Sequence, residues 1–112
     1  MKNIKALKRK QGGSPQIVGV AWYYPDQWDR LLDIASDRET LEDHHEDWLR
    51  SAENAMLEFK RIGLSPKKVY VDIEKLIEWC KSENRPVDSS ARAVFVSKLL
   101  IEASKNDTTD QI

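Results

Sequence analysis

Cysteine is nearly missing from this chain: Cys80 is the single thiol among 112 residues, so no intramolecular disulfide can form. Secreted domains of this size usually carry several bridges, so the expected compartment is the cytoplasm. Long apolar runs are missing as well, and none approaches the ~20 residues that span a bilayer. The basic start is followed by no apolar stretch of the signal-peptide kind. Histidine is confined to the adjacent pair His44 and His45. Glycine is scarce at four residues. Gly12-Gly13-Ser14 lacks the Lys-Ser/Thr of a phosphate loop and stands before a strand instead of a helix. These absences exclude a disulfide scaffold, a membrane span and a nucleotide-binding loop.

What is present is a globular composition, 40% hydrophobic and 33% charged, with four tryptophans that need a core. The length suits one domain. Charge is unevenly spread. Lys2, Lys5, Lys8, Arg9 and Lys10 face no acid in the first fifteen residues, whereas Asp26 to Glu58 holds eleven acids against Arg30, Arg38 and Arg50. The expected organisation is a flexible basic arm over 1–15, one α+β domain over 16–104 and a polar tail over 105–112.

Residues 16–24, QIVGVAWYY, are β-branched and aromatic and stop at Pro25, which predicts a strand. Alternation separates Val18, Val20, Trp22 and Tyr24 from Ile17, Gly19, Ala21 and Tyr23; the bulk of the first set suggests the core face. Pro25, Trp28, Leu31, Leu32 and Ala35 predict a short helix over about 25–36. Thr40 with Asp43 resembles a capping box, and apolar spacing from Leu41 to Phe59 predicts a long helix over about 41–62. Lys67 to Val71 reads as a second strand with Val69 and Val71 inward. Asp72 and Asp88 are candidate caps for two further helices. Two helices between two strands reverse the chain twice, so the expected architecture is an antiparallel two-stranded ribbon packed with four helices, in β-α-α-β-α-α order.

Chemistry-bearing residues are few. Glu42 and His45 have the Glu-x-x-His spacing used in carboxylate-bridged metal bundles, but those sites need the motif twice, and there is no third histidine. No metal and no cofactor is expected. Cys80 lies on the apolar stripe of a predicted helix and reads as an inert buried thiol. Ser89 and Ser90 follow a cap and have no nucleophile elbow around them. No catalytic residue can be named. The basic residues Lys2, Lys5, Lys8, Arg9 and Lys10 are a candidate phosphate-contacting arm, although the acidic body behind them opposes nucleic acid. Ile17, Ala21, Tyr23 and Tyr70 are candidates for an exposed interaction surface on the outer ribbon face, beside free strand edges.

Tyr24-Pro25-x-x-Trp28, Trp48-x-x-x-Ala52, Val69-Tyr70-Val71-Asp72, Trp79-Cys80, Pro86 and Asp88-x-x-Ala91-Arg92 resemble stretches of small bacterial proteins of uncharacterised function. The resemblance covers about residues 24–100 and implies no activity, substrate or cofactor. The expected function is a non-catalytic protein–protein interaction or regulatory module, with self-association as one form. A nucleic-acid-associated factor using the arm is the alternative, and a small metal protein or enzyme around His44 and His45 the second alternative.

Overall fold

The computed structural model of the protein describes residues 16–111. Strand β1 (Ile17–Trp22) leads into helix α1 (Pro25–Ile34), a 3-10 turn (Arg38–Thr40), helix α2 (His45–Arg61), strand β2 (Ser65–Tyr70), helix α3 (Ile73–Ser82) and helix α4 (Ser89–Gln111). The basic arm lies outside the described residues, as does Ile112. Among the described residues no helix is long and apolar enough to cross a membrane.

The strands are parallel, not antiparallel, in a register that pairs Ile17 with Ser65 and Trp22 with Tyr70. The reason is that only one of the two intervening helices returns the chain. A His45 ring nitrogen lies 2.7 Å from the carbonyl oxygen of Tyr23, so α2 begins at the same end of the sheet where β1 stops. At the other end of α2, Leu64 N–H bonds Phe59 and Ser65 N–H bonds the carbonyl of Gln16, just before β1. Residues 24–44 are thus a closed excursion, and α2 alone runs back along the sheet. One reversal gives parallel strands joined by a crossover.

Local chemistry accounts for the element ends. Pro25 occupies the first turn of α1, where its missing N–H is not needed. The predicted start of the long helix at Leu41 is not realised, and α2 begins at His45. Arg38 donates to the Leu41 carbonyl and pairs with Asp43 at 2.6 Å, while the Trp28 indole N–H donates to the Glu42 carbonyl. Those bonds hold 41–43 outside the helix and take Asp43 away from capping. Gly63, at φ 93°, ends α2 in the left-handed conformation. Asp72 caps α3 by accepting from Lys75 N–H, and Asp88 accepts from Ala91 N–H in the first turn of α4. The last helix continues through the region expected to be a polar tail, to Gln111.

The parallel register also settles which residues share a face. Ala21 stands beside Val69 and Gly19 beside Lys67, whereas Trp22 stands beside Tyr70 and Val20 beside Lys68. The main core collects Tyr23, Trp28, Leu31, Val71, Ile73, Leu76, Cys80, Ala91, Phe95 and Val96, with Ala21 and Val69 packed against it. The face bearing Ala21, Tyr23 and Val69 is therefore the core face. The set expected inward contains Tyr24, which is exposed. Bulk misled here because Trp22 is buried in a different way, beside Trp48 and under the ammonium of Lys68.

Helix α4 crosses β1 over Gly19. A Cβ there would stand 2.9 Å from Val96 Cγ1, 3.3 Å from Val69 Cγ2 and 3.4 Å from Leu100 Cδ2. Gly19→Ala should therefore lower the unfolding free energy by ~1–3 kcal/mol, the usual range for overpacking. Denaturant titration checks this, and a variant as stable as the parent would show that α4 does not press on the strand.

Candidate functional site

His45, part of the second-alternative metal reading, instead builds the structure. His45 takes part in an aromatic cluster in which Trp48 lies 5.1 Å from His45, 5.2 Å from Trp22, 5.3 Å from Tyr23 and 5.4 Å from Trp28, between ring centroids. The ring nitrogen facing the Tyr23 carbonyl is Nε2, which must carry the hydrogen because a carbonyl only accepts. Glu42 precedes α2 and turns to the Ser51 hydroxyl at 3.4 Å. Glu42 and His45 therefore serve different partners. Among the described residues no three His, Cys, Asp or Glu side chains come together as a metal site would require. Cys80 is fully buried, and burial pushes its thiol pKa up. Ser90 accepts from Arg85, and Ser89 opens α4.

The four residues expected to form one exposed surface are not brought together. Ile17 is 55% exposed at the start of β1, and Tyr70 is 49% exposed at the end of β2, on the opposite face. Ala21 packs against the core. Tyr23 corrects the expectation most sharply. It is 5% exposed, and burial pushes its hydroxyl up to about 12. Tyr24, placed inward by alternation, instead stacks on Tyr70 with ring centroids 4.9 Å apart. The five bases of the expected phosphate-contacting arm lie outside the described residues.

What the fold does build is a groove of about 420 Å³ along β1. Gly19, Val20 and Ala21 form its floor, Trp48, Ala52 and Phe59 of α2 one wall, and Arg92, Ala93 and Val96 of α4 the other. The floor is a strand edge. Ser65 and Val71 donate to the carbonyls of Gln16 and Trp22, so the backbone groups of the even-numbered residues of β1 face β2. Those of Ile17, Gly19, Ala21 and Tyr23 face the other way. Tyr23 is capped there by His45, but no described residue bonds the backbone of Gly19 or Ala21 on that side. The outer edge of β2 is different. It carries Pro66, which has no N–H, and Lys68, both devices that discourage strand pairing.

One polar contact fixes a groove wall. Arg92, 8% exposed, grips Asp37 with both amino groups, at 2.9 and 2.7 Å. The Arg92 hydrogen bonds hold the Asp37 carboxyl down at about 2, against an ordinary 3.8. The sequence showed Asp37 only as one acid among eleven, and nothing in its spacing pointed to a partner fifty-five residues away.

No family model, curated protein or solved structure matches the chain.

Two outcomes follow from these contacts. His45→Ala should lower stability by ~1–3 kcal/mol, the cost of leaving a buried acceptor unmet. Micromolar Zn²⁺ should leave the melting temperature of the parent unmoved; a large zinc-induced rise lost in His45→Ala would restore the metal site. For Asp37 the folded-state pKa lies below the unfolded one, so the unfolded chain takes the proton first. The stabilisation is complete above about pH 4 and is lost as pH falls toward 2. Urea midpoints measured across that window should fall less steeply in Asp37→Asn than in the parent.

Proposed function

We propose that the protein is a non-catalytic protein–protein interaction module whose recognition element is the groove along β1. The observation that carries this reading is the asymmetry of the two strand edges. β2 ends its sheet with Pro66 and Lys68, while β1 presents backbone groups of Gly19 and Ala21 that no described residue bonds, between two largely apolar helix walls. An extended segment laid on such an edge gains main-chain hydrogen bonds for affinity and side-chain pockets on either side for specificity. The lining supports binding more than chemistry. Its polar side chains are Tyr23, Ser51, Ser89 and Arg92, and Arg92 is already committed to Asp37. A regulatory role fits a domain with a strongly acidic stretch from Asp26 to Glu58, and the single buried thiol Cys80 supports a cytoplasmic setting.

Ser51 and Ala93 are exposed residues on the two groove walls, so arginine is tolerated there without disturbing the core. Ser51→Arg/Ala93→Arg should keep the parent's melting temperature within two or three degrees, roughly the scatter of surface substitutions. The variant should also lose the partner that the parent captures from its own cells. Equal capture of the same partner by both proteins would remove the groove from the function. Sedimentation equilibrium of the parent separates self-association from binding to another protein.

A further inference from the structure

We propose that the groove's resident occupant is the chain's own basic arm, residues 1–11, added to the free edge of β1 as an antiparallel strand. This rests on the reading of the groove as a strand-binding surface and specifies what fills it.

Connectivity is the first argument. The arm is separated by only four residues from Gln16, whose carbonyl already bonds β2. Gly12-Gly13-Ser14-Pro15 is a four-residue stretch of turn formers between the arm and β1. Hairpins with loops of this length are common, and glycine supplies the positive φ that they need. A short loop permits only antiparallel pairing. Reach is ample, since an arm of this length extends to ~35 Å, and the six residues of β1 span ~20 Å.

Charge is the second argument. The arm carries five bases and no acid, which leaves a net charge of about −6 on the rest of a chain whose total is −1. The arm and the body therefore attract. At one end of the groove Glu42 reaches Ser51, a lining residue, and so places a carboxylate at the rim.

Side-chain chemistry is the third. A strand held between two helices sends alternate side chains to opposite walls. Ile4 and Ala6 then share one direction and Leu7 takes the other, which suits a groove whose two walls are largely apolar, the Arg92 charge on one of them being committed to Asp37. Lysine and arginine stems lie along apolar surface while their charged ends reach the acidic exterior. Intramolecular pairing gives the arm a high effective concentration at the edge, so an outside strand must displace it.

Amide-resolved hydrogen exchange on the full chain tests this, because β1 contains its own control. Val18, Val20 and Trp22 direct their N–H groups to β2, whereas Gly19 and Ala21 direct theirs to the groove. The parent is compared with the full-length variant Ile4→Asp/Leu7→Asp. The expected result is exchange at Gly19 and Ala21 at least ~10-fold faster in the variant, with Val18, Val20 and Trp22 unchanged, since edge opening is local. Equal exchange at Gly19 and Ala21 in both proteins overturns the proposal. Protection that grows with protein concentration also overturns it, since the strand would then come from a second copy. A parent with unprotected Gly19 and Ala21 that still loses its partner in Ser51→Arg/Ala93→Arg sinks the arm and keeps the groove. Arm-dependent protection with partner capture unaffected by those arginines keeps the arm and sinks the function.

Discussion

Two parallel strands cannot be joined by a tight turn, and most of this structure follows from meeting that constraint with only two strands. The crossover must carry the chain from one end of the sheet to the other, and α2 does so in a single pass between Tyr23 and Gln16. A sheet of two strands then has as many free edges as paired ones. Parallel sheets are normally buried on both faces, with their edge strands covered or charged. Here β2 is blunted by Pro66 and Lys68, while β1 is sunk between α2 and α4. The need to bring α4 close enough to cover β1 explains why position 19 holds a residue without a side chain.

The closed excursion of residues 24–44 is held by terms of unequal size. The rings of Trp22, Tyr23, Trp28, His45 and Trp48 join both ends of the excursion, and each well-placed aromatic pair is worth ~0.5–1.5 kcal/mol beyond the area that it buries. The Asp37–Arg92 pair ties its middle to α4 in a partly shielded setting, where losing one partner leaves the other charge without its bidentate contact and costs more than at an open surface. Arg30–Glu74 and Lys98–Glu102 are open to solvent, where water and salt screen such pairs to a small contribution. The aromatic cluster and the single shielded pair therefore outweigh the more numerous surface pairs.

The elements were legible in the sequence because periodicity, proline placement and caps are local. Pro25, Gly63, Asp72 and Asp88 mark boundaries that the structure keeps. Strand direction was not legible, because it depends on whether a helix traverses the sheet or turns beside it. Periodicity is blind to that distinction. The same gap misassigned the faces. Alternation correctly placed Val69 and Val71 inward and Tyr70 outward, but whether Tyr23 or Tyr24 joins Tyr70 depends on register across the strands. The parallel register gives Tyr70 to Trp22's face, and Tyr24 follows. The groove was invisible for a further reason: its floor is backbone, and its walls are alanines and aromatics that also read as ordinary core.

The groove is a built feature, because its α4 wall cannot move independently of the core. Arg92 and its neighbour Ala93 both line it, and Phe95 and Val96 lie in the core one turn along. Swinging α4 outward would strip Arg92 from Asp37 and leave a charged pair to be rehydrated, while opening apolar surface over Gly19. The opposite wall is pinned by Trp48 in the aromatic cluster. A strand entering between them meets a cleft of fixed width where the Gly19 and Ala21 backbone groups, bonded by no described residue, already point inward. The ordering cost then falls on the incoming segment alone. That favours a segment tethered next to β1 over one that must first be captured from solution.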